Sequence, residues 1–294
     1  MRIPSFKLSI ALVVAVAGVG AAVAVASPTR TAGPNPNAQA IQQAFQKTAK
    51  LPGFHFAFTV RLGGGGGSGY AVTGTGGVDT KAQASSFTVN LGALASLLGG
   101  ASGGATIPSK LDGVASNGVL YFHAPSVATQ VQPGAEWLSF DAKAIPSSLT
   151  TKLDPGSLSQ QQVVAAVTAS ASVHKVGSAT VRGTKTTHYR VTASAAKFTA
   201  ALPASKRAGE VQALKALNLK SATFDVYVDG AGYVRRVAAS VKGVKVQQGS
   251  AAASITAQVD LFDLGAQVKV SVPPASKTVS GDRLVQSLLG GIGG

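Results

Sequence analysis

The chain has 294 residues, of which 45% are apolar and only 13% are charged, so it can bury a sizeable core and is not a charged, disordered chain. It contains no cysteine, which excludes disulfides, thiolate nucleophiles, thiolate metal sites and a lipid-modified cysteine. The net charge of +15 comes from basic residues that are scattered singly rather than collected in runs, and this pattern argues against a nucleic-acid-binding protein. A diffuse positive charge fits contact with an anionic membrane or cell-wall surface, and equally a soluble exported protein.

The N-terminus has the features of an export signal. Arg2 and Lys7 precede an uncharged stretch that ends at Ala24-Val25-Ala26, the small-x-small pattern of signal-peptidase cleavage. We therefore predict a signal peptide over residues 1–26. Because the stretch is long enough to span a bilayer, an uncleaved anchor is the alternative. Either outcome places the rest of the chain outside the cytoplasm, secreted or associated with the cell envelope.

The remaining chain is predicted to form one domain. Residues 27–36 are rich in proline and are expected to be a disordered tether, residues 37–289 a single folded domain, and residues 290–294 a flexible glycine-rich tail. A weak repetition of helix followed by strands in each half leaves two closely packed subdomains as the alternative. The glycine-laced segment 92–106 is expected to be a loop or a weak helix.

The first helix is predicted from Asn37 to Lys50, with Asn37 as its N-cap. The segment that follows, from Phe54 to Leu62, alternates apolar and polar side chains, as a half-buried strand does. Further strands are predicted at residues 70–79, 83–91, 118–123, 136–141, 174–182, 186–192, 223–241 as a hairpin, and 254–265. Further helices are predicted to start at Ser159, to lie around Val211, Leu214 and Leu217, and to run from Ser280 to Leu289.

The order of these elements predicts an α+β fold. The connections between neighbouring strands are too short for parallel crossovers, so about nine to eleven strands are expected to form one mostly antiparallel sheet. We expect this sheet to be curved.

No motif predicts an enzyme. The four histidines, His55, His123, His174 and His188, lack the spacing of metal ligands, and the serines lie in none of the usual nucleophile motifs. The glycine run at residues 63–69 lacks the lysine and hydroxyl residue of a phosphate-binding loop. The expectation is a non-enzymatic protein without a metal or a cofactor.

The strands carry a surplus of apolar side chains on one side, and these are the candidate ligand-binding residues. One hypothesis is that they line an apolar cavity on the concave face of the sheet, and the other is that helices cover this face completely as an ordinary core. The residues are Phe54, Phe56, Phe58, Leu120, Phe122, Leu138, Phe140, Tyr189, Val191, Phe224, Val226 and Val228.

Several segments together resemble a known family. They are the strand GFHFAFTVRL at residues 53–62, the tryptophan-bearing AEWLSFD at 135–141, VRGTKTTHYRV at 181–191 and the hairpin FDVYVDGAGYVRRV at 224–237. This pattern is similar to the actinobacterial LppX/LprA/LprF/LprG lipoproteins, relatives in fold of the lipoprotein carriers LolA and LolB. Here Ala24-Val25-Ala26-Ser27 stands where those lipoproteins carry the cysteine that is acylated.

The resemblance implies a half-barrel sheet with a hydrophobic cavity for the acyl chains of lipids, glycolipids or lipoproteins. We therefore expect a monomeric exported carrier, with Arg235 and Arg236 meeting anionic headgroups near the mouth of the cavity. The alternative is a cell-surface interaction or sensor module of the same fold with a filled core and no lipid ligand.

Overall fold

Twelve strands and three α-helices make up the described part of the protein. The computed structural model describes residues 35–64, 69–92, 95, 108–141, 171–201, 207–208, 211, 221–244 and 253–281. The helices are α1 (Pro36–Ala49), α2 (Pro125–Val131) and α3 (Ala195–Ala201), and a 3-10 turn spans Ala275–Lys277. The strands are β1 (Gly53–Gly64), β2 (Tyr70–Asp79), β3 (Ala84–Asn90), β4 (Lys110–Ser116), β5 (Val119–His123), β6 (Trp137–Asp141), β7 (Ala171–Val181), β8 (Thr184–Ser194), β9 (Ser221–Asp229), β10 (Val234–Val244), β11 (Ala253–Phe262) and β12 (Thr278–Ser280).

All the strands belong to one sheet, in the order β12-β6-β5-β4-β3-β2-β1-β11-β10-β9-β8-β7. Neighbouring strands pair antiparallel, except that β12 runs parallel to β6. Two meanders, β1–β6 and β7–β11, are therefore joined in the middle of the sheet by the β1–β11 pair. The predicted α+β fold with an open, curved, mostly antiparallel sheet is confirmed.

The predicted number of strands, nine to eleven, was too low. The sequence reading missed β4 because its inward residues Leu111, Gly113 and Ala115 are mostly small and give a weak alternation. It missed β12 because that strand has only three residues, and Ser280, predicted to open a helix, belongs to it. Helix α2 was also unpredicted; it is a short element with Pro125 in its first turn.

Helix α1 begins one residue earlier than predicted. Its N-cap is Asn35, not Asn37: the Asn35 side chain accepts a hydrogen bond from the backbone N–H of Asn37 at 3.0 Å, and Pro36 occupies the first helical position. Two asparagines flank the proline, and the one before it is free to adopt the extended conformation that a cap requires.

A segment that we call the strap carries the chain from β11 to β12. The strap consists of residues 264–274. At its start the N–H of Gly265 donates to the carbonyl of Gly53, and the side chain of Val268 lies against Gly77. At its end the strap brings β12 alongside β6, where the N–H of Glu136 donates to the carbonyl of Lys277.

Several predicted segments lie outside the described residues. These are the signal peptide, most of the tether, the helix from Ser159, most of the helix around Leu214 and Leu217, most of segment 92–106, most of the helix from Ser280 to Leu289, and the C-terminal tail. They stay predictions. Within the described part of the chain, no helix is both long enough and apolar enough to cross a membrane.

Candidate ligand-binding site

The register of the sheet puts all twelve candidate residues on one face. Residues that oppose each other in a ladder point to the same side, so a row of partners can be followed across the sheet. One such row is Leu138, Phe122, Gly113, Phe87, Gly76, Phe56 and Leu261. Another is Phe58, Val259, Val237, Val226 and Tyr189. We call this side the apolar face and the other side the polar face.

The apolar face is packed in its centre and partly accessible at its flanks. On the central strand β1, Phe54, Phe56 and Phe58 are only 0%, 4% and 6% exposed. Val191, Val226, Val228 and Leu138 are also buried, whereas the half-buried candidates lie towards the ends of the sheet, and these are Leu120, Phe122, Phe140, Tyr189 and Phe224. The accessible apolar surface therefore lies on β5–β6 and on β8–β9.

Phenylalanine rings on the apolar face lie over glycines of the neighbouring strand. A Cβ atom added to Gly113 would come within 2.3 Å of the Phe87 ring, and one added to Gly76 within 2.5 Å of the Phe56 ring. Phe58 covers Gly74 in the same way, at 2.4 Å. Each ring leans along the sheet instead of standing upright from it, because the glycine opposite leaves the room.

The flank near β6 is lined by a chain of aromatic contacts. Phe122 meets Phe87 edge-on at 6.0 Å between ring centroids and Phe140 edge-on at 5.8 Å. Edge-to-face contacts of this kind fix the rings relative to one another. Leu138 belongs to a smaller cluster beside this chain, in which it packs with Ala128 of α2.

Helix α1 packs on the other half of the apolar face, over β7, β9 and β10. Ile41 and Ala44 belong to the core cluster. The buried hydroxyl of Thr48 donates to the carbonyl of Ala44 and accepts from the N–H of Val234 at 3.0 Å, which fixes the end of the helix to the β9–β10 hairpin. Nearby, the Lys47 ammonium donates to the carbonyl of Ala231 at 2.6 Å.

Solved structures with a similar arrangement include two mycobacterial proteins. The crystal structure of the lipoprotein LppX from Mycobacterium tuberculosis is 13% identical, with a TM-score of 0.44, over 81% of this chain and 100% of that one. LprF from Mycobacterium bovis is 14% identical, with a TM-score of 0.41, over 82% of this chain and 99% of the other.

A LolA superfamily protein from Nitrosomonas europaea is 8% identical, with a TM-score of 0.28, over 81% of this chain and 94% of that one. The resemblance suggested by the sequence motifs is thus found again, and it is a likeness of fold. No protein-family model matches the chain, and no curated protein matches its sequence.

The two arginines expected near a headgroup are both held in ion pairs. Arg235 donates from Nε to Asp229 at 2.6 Å. Arg236 makes two hydrogen bonds to Asp260, at 2.6 and 2.8 Å, and this pairing raises the pKa of its guanidinium. Arg236 lies on the polar face, opposite Asp260 in the ladder. Their contact with a headgroup stays a prediction.

The polar face carries a second ion-pair group, centred on Asp225. Its carboxylate accepts from Nε of Arg190 at 2.9 Å and lies 2.7 Å from Nε2 of His188. Burial raises the pKa of Asp225, but the hydrogen bonds with Arg190 and His188 outweigh it, so this pKa lies below its ordinary value. The His188 ring stacks on Tyr227 with 4.4 Å between centroids.

The sequence reading did not predict the aromatic residues of the polar face as a group. Trp137 and Phe262 alternate with Leu138 and Leu261, so strand parity alone assigns them to this side. The sequence feature that could have revealed this group is an aromatic residue at a solvent-facing position of an alternating strand. Among the described residues, no group of three or more histidine and carboxylate side chains is arranged to hold a metal ion.

Proposed function

We propose that this protein is an exported, non-enzymatic binding or carrier protein for the acyl chains of lipids, glycolipids or lipoproteins in the cell envelope. The observation that carries the proposal is the apolar face, which extends without interruption from β6 across the sheet to β8. An acyl chain gains free energy wherever such a surface removes it from water, about 0.8 kcal/mol for each buried CH2 group.

The flanks support a ligand better than the centre does. Phe54 is fully buried and packed, whereas Leu120, Phe122 and Phe140 retain accessible surface. We therefore infer that acyl chains enter along β5 and β6.

A filled core is the second candidate, and the burial of Phe54, Phe56 and Phe58 favours it. In that case the protein is a surface interaction or sensor module, and the half-buried flank residues are an ordinary boundary of the core. The two candidates predict opposite results for lipid uptake.

Native mass spectrometry of the purified exported protein, combined with lipid extraction, tests the proposal. We expect co-purifying lipid, or saturable uptake of the fluorescent fatty acid cis-parinaric acid. Leu120→Trp fills the accessible flank and should lower uptake about tenfold. Tyr121→Trp is the matched control, because it adds the same ring to the opposite face of the same strand and should leave uptake unchanged.

The lipid-binding proposal would be overturned by a folded protein that contains no extractable lipid and takes up no parinaric acid. Equal uptake by Leu120→Trp and Tyr121→Trp would overturn the assignment of the β5–β6 flank. A filled core would then be the better account.

A further inference from the structure

The strap and the polar face border an open trough. It lies on the side of the sheet away from the apolar face. The trough has a volume of about 640 Å³, within the range of about 300–1,000 Å³ typical of small-molecule sites. Gln267, Val268 and Lys269 of the strap form one wall. The floor crosses β1, β2, β3 and β4, and Trp137 of β6 lines the far end.

Aromatic side chains stand at both ends of the trough. At one end His55 stacks on Phe262 with 5.8 Å between centroids, and the guanidinium of Arg182 lies 4.0 Å from the centre of the Phe262 ring. At the other end Trp137 packs against His123, with 4.9 Å between centroids. These neighbours hold the rings in place without filling the space between them.

The floor between the aromatic ends combines small and polar residues with apolar ones such as Val114. It is lined by Gly77 and Ser86, and by Thr88, whose hydroxyl donates to Asp112 at 2.5 Å. The free lone pairs of Asp112 and the exposed hydroxyl of Thr75 can bind further donors and acceptors. A flat floor with hydroxyl and carboxylate oxygens suits a ligand that carries many hydroxyl groups.

The trough continues into a second depression along the same strands. The second depression has a volume of about 400 Å³ and shares Thr75 and Thr88 with the first. Its other polar residues include Thr59, Asn90 and Lys110. Two adjoining depressions with common lining residues accommodate an elongated ligand better than a compact one.

The trough and the second depression carry few charges. Asp112 is its carboxylate and Lys269 its ammonium group, and Lys110 of the second depression lies 3.9 Å from Asp112. This small positive excess is less than the cluster of donors and positive charges that a nucleic acid, a phosphate or an acidic peptide needs. The ligand that fits is neutral, rich in hydroxyl groups and elongated.

We propose that this trough binds a short, linear, neutral oligosaccharide. A sugar ring has apolar C–H faces, which can lie on Trp137 and on the His55–Phe262 pair, and hydroxyl edges, which can bond to the threonines and to Asp112. The site lies on the opposite face of the sheet from the proposed acyl-chain site. It therefore stands or fails independently of that proposal.

The fluorescence of Trp137 reports on this site, because it is the only tryptophan in the chain. The purified protein is titrated with cellotetraose, maltotetraose and mannotetraose, and with the corresponding disaccharides. We expect a saturable change of emission with at least one tetrasaccharide, and an affinity about tenfold lower for its disaccharide, which spans only one depression.

Variants of matched chemistry locate the binding site. Thr75→Phe blocks the centre of the trough and should lower the affinity about tenfold or more. Thr256→Phe is the control, because Thr256 is also an exposed threonine of the polar face and does not line the trough. If Thr75→Phe does not fold, Asp112→Asn makes the same test with an expected loss of about fivefold.

The proposal is overturned if no saccharide of the panel changes the emission at concentrations up to about 10 mM. It is also overturned if Thr75→Phe binds as well as Thr256→Phe, or if inorganic phosphate or an acidic peptide replaces the saccharide at the site. Fatty-acid uptake measured on the same samples tests the acyl-chain proposal separately.

Discussion

Aromatic side chains on the two faces of the sheet make different kinds of contact. On the apolar face, phenylalanine rings lie over glycines and pack against one another, as Phe87 does over Gly113. On the polar face, rings lie beside cations and imidazoles, as Phe262 does beneath Arg182. One face therefore gains its stability from tight apolar packing, and the other from pairwise contacts that leave open space.

This difference shows where the sheet can bind ligands without losing its fold. Phe54 is fully buried on the apolar face, so a ligand could reach it only by displacing side chains of the packed core. The polar face keeps its troughs because its side chains are held by individual hydrogen bonds and ring contacts. Four predictions test the contrast, and they are ordered by the expected size of their effect.

The largest effect is expected for Phe54→Ala, which leaves a cavity in the centre of the apolar face. It should lower the free energy of unfolding by about 3–5 kcal/mol. Phe262→Ala, on the polar face, should lower it by about 1 kcal/mol, since its ring is only half-buried. Urea unfolding of both variants measures the difference, and equal losses would contradict the contrast between the faces.

The second prediction concerns a glycine that lies under a ring. In Gly113→Val the new side chain occupies the place of the Phe87 ring, and the free energy of unfolding should fall by about 2–3 kcal/mol. Gly230→Ala is the control, because a Cβ atom there meets nothing within 4 Å. A double variant with Phe87→Ala should recover part of the loss, and a loss that is simply additive would argue against direct contact.

The third prediction concerns an ion pair of the polar face. Asp260→Asn removes the charge that pairs with Arg236 and should lower the free energy of unfolding by about 2 kcal/mol, because both partners are largely shielded from water. Lys110→Met breaks the exposed contact with Asp112 and should change stability little. Thermal unfolding of the two variants compares them, and similar shifts would contradict the role of burial.

The smallest effect is a dependence on pH at Asp225. Because the pKa of this carboxyl is lowered in the folded protein, its contribution is present above the unfolded value of about 4 and is lost as the pH falls through the folded pKa. Asp225→Asn should therefore lose about 1 kcal/mol at pH 7, and a smaller amount at about pH 3. Urea unfolding at both pH values tests this, and a loss that does not vary with pH would count against it.

The strands whose side chains alternate strongly were predictable from the sequence. β1 and β2 were found close to their true limits, and the alternation of Phe54, Phe56 and Phe58 was sufficient to assign them to one face. β4 was not found, because Gly113 and Ala115 contribute little hydrophobicity although they occupy the same face. The face that a residue occupies depends only on its position along the strand. The sequence therefore reveals it wherever the alternating side chains are large.

The partners across the sheet were not predictable in the same way. The pairing of Phe87 with Gly113 joins residues that are distant in the chain, and only the register brings them together. The trough depends on the strap, which lays Val268 beside Gly77, and on Trp137 from a different strand. Neither the strap nor the trough has a periodic signature, because both arise from contacts between distant segments.

The irregularity in β7 has a consequence for the behaviour of the protein in concentrated solution. β7 ends the sheet, and an end strand of this length offers backbone groups to which a second chain could add. The register shifts between Lys175 and Gly177, and the side chain of Val176 is 53% exposed. A bulge twists the strand and interrupts its row of donors and acceptors, so this edge is a poor template for self-association and fibril growth.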